Sequence, residues 1–151
     1  MAEEKMACRG KITGICTSVD TGTSKRNVHQ ANVIKNYGVE GDAHAGFHTD
    51  KQVSLLSYEK IQAFIGNEAT VKEGAFGENL VVQGLDWSLF PIGTQFRSGD
   101  VILEITHRGT DCDSCEMCLP RTECLIKKDG LFCKVIMGGI ITEGDYLHVE
   151  N

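Results

Sequence analysis

Residues 94–107, TQFRSGDVILEITH, contain two short strand-like runs hinged on Gly99-Asp100. A glycine-containing pair between two such runs is the chemistry of a tight turn joining strands. The same reading extends outward from this stretch. KITGICTSV (11–19), ANVIKNYGV (31–39), QVSLLS (52–57) and NLVVQG (79–84) read as strands before it, and LFCKVIM (131–137) and DYLHVE (145–150) read as strands after it. Seventeen glycines against two prolines punctuate these runs, a pattern of short strands and turns rather than of long helices. The expected fold class is mainly β, and the close spacing of the strands favours a closed or half-closed barrel.

One helix is expected where Ser57 can cap YEKIQAFIG (58–66), with Ile61, Phe64 and Ile65 on one face and Gly66 as the stop. A second, shorter helix is expected from about Asp113. The segment GGIITEGDYLHVE (138–150) echoes GTQFRSGDVILEI (93–105) in its Gly-Asp pair; the echo reads as turn chemistry and not as an internal repeat.

A chain of 151 residues fits one domain with a core large enough to be stable alone, here 11–150 behind an N-terminal tail, 1–10. Fifteen basic against 21 acidic residues leave a net charge of -6, which supplies no positive field for phosphate backbones or anionic membranes. Neither nucleic acid nor a membrane is an expected partner. The opening MAEEKMACRGKITGIC (1–16) has two early glutamates and no long apolar run, so a cytoplasmic location is expected.

In that reducing compartment seven cysteines, an odd number, read as thiols or ligands more readily than as a disulfide framework. Four of them, Cys112, Cys115, Cys118 and Cys124, fall within TDCDSCEMCLPRTEC (110–124). The spacing approximates an iron-sulfur ligand run, although the fourth cysteine comes late and lacks the proline that follows it in ferredoxins. Tetrahedral zinc also fits, with Cys112 and Cys115 spaced as in a zinc knuckle and Cys118 or Cys124 completing the site. A sulfur-carrying thiol needs instead an exposed thiolate that a partner can reach. Cys112 meets that need by position, just past the strand VILEITH and the pair Gly109-Thr110. Its neighbours Asp111 and Asp113 oppose thiolate formation, whereas His107 and Arg108 favour it if they fold back. Cys16 and Cys133, within strands, read as small buried hydrophobes, and Cys8 lies in the tail.

Two further stretches carry polar groups between glycines. In GVEGDAHAGFHTDKQVSLLS (38–57), Asp42, His44 and His48 suit a divalent metal, or else a turn in which Asp42 bonds backbone amides. In GAFGENLVVQGLD (74–86), Glu78 and Asn79 stand just before an apolar strand, where a glycine-rich backbone can approach an anionic or pterin-like group or simply form a capped turn.

Taken together, GDAHAG (41–46) with QVSLLS, GAFGENLVVQGLD, IGTQFRSGDVILEITHRGTDC (92–112) and GLFCKVIMGGIITEGD (130–145) resemble, in this order, the MOSC domain, the C-terminal domain of molybdenum cofactor sulfurases, in its small stand-alone bacterial form. The resemblance implies a β-barrel of the pyruvate-kinase β-domain type with one or two short helices, and a cleft formed by the glycine-rich motifs with Cys112 at its edge. It implies that Cys112 accepts persulfide sulfur from a cysteine desulfurase and that the sulfur passes to a molybdoenzyme, a cofactor-biosynthesis protein or another metal-sulfur centre; resolution of the persulfide by Cys115 or Cys124 is the expectation built on it. Pyridoxal phosphate then belongs to the desulfurase, and the molybdenum cofactor is the group that Asp42, His44, Glu78, Asn79 and Arg108 would face. The chain departs from the family pattern after Cys112: Asp113 replaces a histidine, IKKDG replaces a segment with a Met-Pro pair, and Cys118 is extra. Those departures leave room for zinc or an iron-sulfur cluster on Cys112, Cys115, Cys118 and Cys124.

Overall fold

A computed structural model describes residues 9–20, 25–65, 74, 76–109 and 129–150. The strands are β1 (Arg9–Thr17), β2 (Arg26–Asn27), β3 (Gln30–Ile34), β4 (Gly38–Val39), β5 (Val53–Ser57), β6 (Leu80–Gln83), β7 (Gln95–Ser98), β8 (Val101–Arg108), β9 (Leu131–Met137), β10 (Gly139–Thr142) and β11 (Tyr146–Val149). Helix α1 (Tyr58–Ile65) follows β5, and a single 3-10 turn covers Trp87–Leu89.

Eight strands form one sheet in the order β11-β7-β8-β9-β5-β6-β1-β2, and β11 also pairs with β1. That pairing closes seven of them into a barrel, with β2 hanging from the end of β1. The barrel is the expected one. Every pair in the ring is antiparallel except β5 and β6, which are parallel because α1 lies in the crossover between them. Register shifts on β1 between Ile12 and Gly14, on β8 between Ile105 and His107 and on β9 between Val135 and Met137 supply the bends that closure needs. β10, β3 and β4 form a separate three-stranded sheet.

Alternation decides what faces inward. Val53 and Leu55 of β5, Leu80 and Val82 of β6, and Leu131, Cys133 and Val135 of β9 enter the barrel core with Ile12, Ile15, Phe96 and Leu103. Leu56, Val81 and Phe132 point outward and form a second cluster with Ile61 of α1 and Phe76. β5 is therefore buried at all five positions. Ser57 Oγ accepts the Lys60 amide at 3.2 Å, the cap expected for α1, and Ile61 is the residue the helix sets into the cluster. The proposed stop at Gly66 and the second helix near Asp113 lie outside the described residues.

One strand expectation is corrected and one strand is added. ANVIKNYGV is a hairpin and not one strand: Asn36 takes a left-handed φ of 53°, the Tyr37 amide bonds the Ile34 carbonyl at 3.0 Å, and the chain returns to pair Val33 with Val39. GIIT, unassigned in the sequence reading, is β10 and pairs with β3 at all four residues. The two Gly-Asp turns differ as turn chemistry allows. Gly99-Asp100 closes the β7–β8 hairpin, whereas Gly144-Asp145 carries the chain from the small sheet into the barrel. No helix among the described residues is long and apolar enough to cross a membrane.

Candidate functional site

The two glycine-rich motifs meet through a residue that neither contains. The Lys25 ammonium lies 2.8 Å from Asp42 Oδ1, with both side chains essentially inaccessible to solvent. The backbone amide of Lys25 donates to the Gly74 carbonyl at 2.7 Å. One residue thus ties GDAHAG to GAFGEN. Gly74 has a φ of +91°, and a Cβ there would stand 2.2 Å from the Lys25 carbonyl oxygen, so the close approach demands glycine.

Asp42 is the hub of the first loop. Its Oδ1 also accepts the Ser18 amide at 3.0 Å, and its Oδ2 accepts the His44 amide at 3.0 Å. Burial by itself would raise the carboxyl pKa, but the nearby His44 side chain, the hydrogen bond and charge of Lys25 and the Ser18 amide reverse that and hold it far below its ordinary value of 3.8. A carboxylate whose pKa falls on folding contributes stability above its ordinary pKa and loses it as pH drops through the lower range. Asp42→Asn is therefore expected to flatten the decline of stability between about pH 5 and pH 2. Urea midpoints measured across that range check it; an unchanged slope would mean that Asp42 titrates normally.

Glu78 anchors the second loop. It is fully buried, and its carboxylate accepts the Gly74 amide at 2.7 Å and the Phe76 amide at 3.1 Å. Asn79, also fully buried, stitches three strands: Oδ1 accepts the Ser54 amide at 2.9 Å, and Nδ2 donates to the Cys16 carbonyl at 2.9 Å. Gln52, the first residue of QVSLLS, closes the GDAHAG loop from below. Its Nε2 donates to the carbonyls of Gly46 and Thr49, and its Oε1 accepts the Val135 amide.

His44 keeps an accessible edge. Its side chain is 29% exposed, while Nδ1 is buried 3.5 Å from Asp42 Oδ2, an ion-pair distance if the ring is protonated but long for a hydrogen bond. The ring faces Phe132 at 6.4 Å between centroids. Lys51 Nζ lies 5.5 Å from the same ring, and His107 stands opposite Phe132 in the β8–β9 register, on the same face of the sheet. Three groups able to carry positive charge thus surround one aromatic ring on the outer barrel face.

Of the expected site residues, the structure brings Asp42, His44, Glu78 and Asn79 together, the last two as loop and strand fasteners. Arg108 is placed elsewhere, at the other end of β5 and β6, where its guanidinium donates to the Trp87 carbonyl at 2.8 Å. Asp42, His44 and His48 do not form a metal site; among the described residues no group of three His, Cys, Asp or Glu can hold an ion. The Asp42 carboxylate is paired with Lys25 instead. Cys112, Cys115, Cys118 and Cys124 lie outside the described residues, as does Cys8. The four fall in sequence between β8, which ends at Arg108, and β9, which begins at Leu131, and the Gly109 amide bonds the Gly130 carbonyl at 2.7 Å.

Cys16 and Cys133 are fully buried. Burial, aided by the Glu104 carboxylate, pushes the Cys133 thiol far up. Native thiol titration with a disulfide reagent is therefore expected to leave Cys16 and Cys133 unlabelled until the chain is unfolded, and labelling of either in the native state would contradict their enclosure.

Lys25 and Gln52 are the contributions that motif reading missed. Gln52 had a signal, since a polar residue opening a largely apolar strand has to bond something. Lys25, in TGTSKRN, had none.

The fold and site define a seven-stranded barrel carrying paired glycine-rich loops fixed by a buried ion pair. A MOSC domain model matches residues 40–148, and the chain belongs to that molybdenum-cofactor-related family. Among curated proteins no sequence matches significantly. Solved structures share the fold. The YuaD protein from Bacillus subtilis superposes with a TM-score of 0.75 at 16% identity, over 93% of this chain and 95% of that one. YiiM from Escherichia coli gives 0.68 at 20% identity, over 95% and 70% of the two chains. YiiM from Geobacillus stearothermophilus gives 0.66 at 21%, over 97% and 75%.

Proposed function

We propose that this chain is a cytoplasmic sulfur carrier that takes persulfide sulfur from a pyridoxal-phosphate cysteine desulfurase on Cys112. The observation that carries the reading is the division of the thiols within a MOSC domain. The two cysteines among the described residues are sealed in the barrel, which leaves thiol chemistry to Cys8 and to the four cysteines between Gly109 and Asp129, and the family resemblance favours Cys112 among these. Cys112 follows Gly109 by three residues, a span of at most roughly 11 Å.

The Cys112 thiolate attacks the outer sulfur of the donor's persulfide, the donor cysteine leaves as thiolate, and Cys112 carries the sulfur. Cys115 or Cys124 then attacks Cys112 Sγ, forming a disulfide and releasing hydrosulfide to the acceptor, a molybdoenzyme or cofactor-biosynthesis protein. A cytosolic dithiol reductant restores the pair.

The outer face around Phe132 fits an anionic group. His44 through its accessible edge, Lys51 and His107 would meet it, while Asp42, Glu78 and Asn79 hold the loops that position His44. The molybdenum cofactor, when bound, supplies the metal centre that receives sulfide, and these residues orient it.

The test is the intact mass of the reduced protein after incubation with desulfurase and free cysteine. One added sulfur atom on Cys112, absent from Cys112→Ser, is expected. No added sulfur from an active desulfurase overturns the reading. Stoichiometric molybdenum or pterin on the protein would then favour a cofactor or oxyanion module, and zinc or iron after anaerobic purification would favour a metal site on the cysteines.

A further inference from the structure

A cavity of about 630 Å³ opens at the end of the barrel where β5, β6 and β8 finish and β9 begins. Ser57 and Gly84 line it, whereas Ser54 and Asn79, which fasten the glycine-rich loops, sit at the opposite ends of the same two strands. It is thus separate from the face around Phe132. The volume is that of a pocket for a small organic molecule.

The lining combines three kinds of group. Leu85, Trp87 and Leu131 are buried core residues that form an apolar floor. Lys60 and Arg108 supply positive charge at the rim, and the bond to the Trp87 carbonyl holds the Arg108 guanidinium in place. Asp86 and Asp129 supply negative charge. Glu59 completes the rim, but its oxygens accept the Gly84 amide.

A simple anion there meets two cations and also carboxylates, and a simple cation meets the reverse. A wholly apolar ligand would strip water from charged groups without replacing their partners. A molecule with both charges close together and an apolar body satisfies the charged and apolar groups that line the cavity among the described residues. The Trp87 Nε1 is itself buried without a hydrogen-bond partner among the described residues.

We infer that this cavity binds a free α-amino acid with an apolar side chain. The carboxylate pairs with Arg108, the ammonium with Asp129, and the side chain lies on Leu85, Trp87 and Leu131. The inference goes beyond sulfur transfer and does not depend on it.

Trp87 is the sole tryptophan of the chain, so its emission reports directly on the cavity. The probe is L-leucine, titrated against Trp87 fluorescence and by calorimetry, beside isocaproate, which lacks the amine, and isoamylamine, which lacks the carboxylate. Saturable binding of L-leucine is expected, with each single-charge analogue weaker by about tenfold or more. Arg108→Gln and Asp129→Asn, both at the rim, are each expected to weaken L-leucine to a similar degree while the protein stays folded, as circular dichroism of each variant checks. Isocaproate binding as tightly as L-leucine would make this an anion pocket and overturn the inference. So would the absence of both a saturable emission change and a heat of binding with L-leucine at millimolar concentration.

Discussion

Lys25→Met is expected to lower the unfolding free energy by about 3–5 kcal/mol, because it leaves the Asp42 carboxylate buried without its counter-charge. A domain of this size has about 5–15 kcal/mol in total, so the variant should sit near the edge of folding. Methionine keeps most of the apolar stem of lysine, which confines the loss to the charge and its hydrogen bonds. The Lys25 ammonium is 2.8 Å from Asp42 Oδ1 and 3.2 Å from Ser18 Oγ, and neither member of the ion pair is reached by solvent. A double variant, Lys25→Met with Asp42→Asn, removes the orphaned charge while preserving an acceptor for the Ser18 and His44 amides. It should recover a substantial part of the single variant's loss. Urea unfolding of wild type, both single variants and the double variant measures the coupling. A cost under about 1 kcal/mol for Lys25→Met would mean that the pair is solvated, as surface ion pairs are.

The value of that pair could not be read from the sequence. Barrel strands were legible because inward and outward residues alternate with period two and because glycine turns separate them; LFCKVIM coincides with β9 residue for residue. The ANVIKNYGV hairpin was hidden because its turn residues, Lys35, Asn36 and Tyr37, interrupt an apolar run without a glycine until Gly38. The loops of Asp42 and Glu78 were legible as glycine-rich polar motifs. Their junction was not, since Lys25 lies 17 residues from Asp42 and a lysine between Ser24 and Arg26 reads as solvated. Burial of such a charge is decided by the tertiary position of its partner, which no local pattern encodes. For the same reason Glu78 and Asn79 were recognised as important, while their role as fasteners emerged only from their bonds to Gly74, Phe76, Ser54 and Cys16.

Gly74→Ala tests the junction from its other side, without touching a charge. Two costs combine at this position. The φ of +91° is one that an alanine adopts only under strain, and its Cβ would lie 2.2 Å from the carbonyl oxygen and 2.6 Å from the carbonyl carbon of Lys25. Backbone cannot rotate aside as a long side chain can, so the Lys25 amide-to-Gly74 carbonyl bond has to open and the ion pair has to shift with it. A loss above about 4 kcal/mol is expected, in the range reserved for backbone and core disruption. Gly144→Ala is the matched control: its φ is +101°, but nothing lies within 4 Å of the added Cβ, so only strain of about 1–2 kcal/mol applies. The difference between the two variants isolates the steric contact. Equal losses would show that the approach of Gly74 to Lys25 is looser than 2.2 Å implies, and that the two glycine-rich loops are held by Lys25 and Asp42 alone.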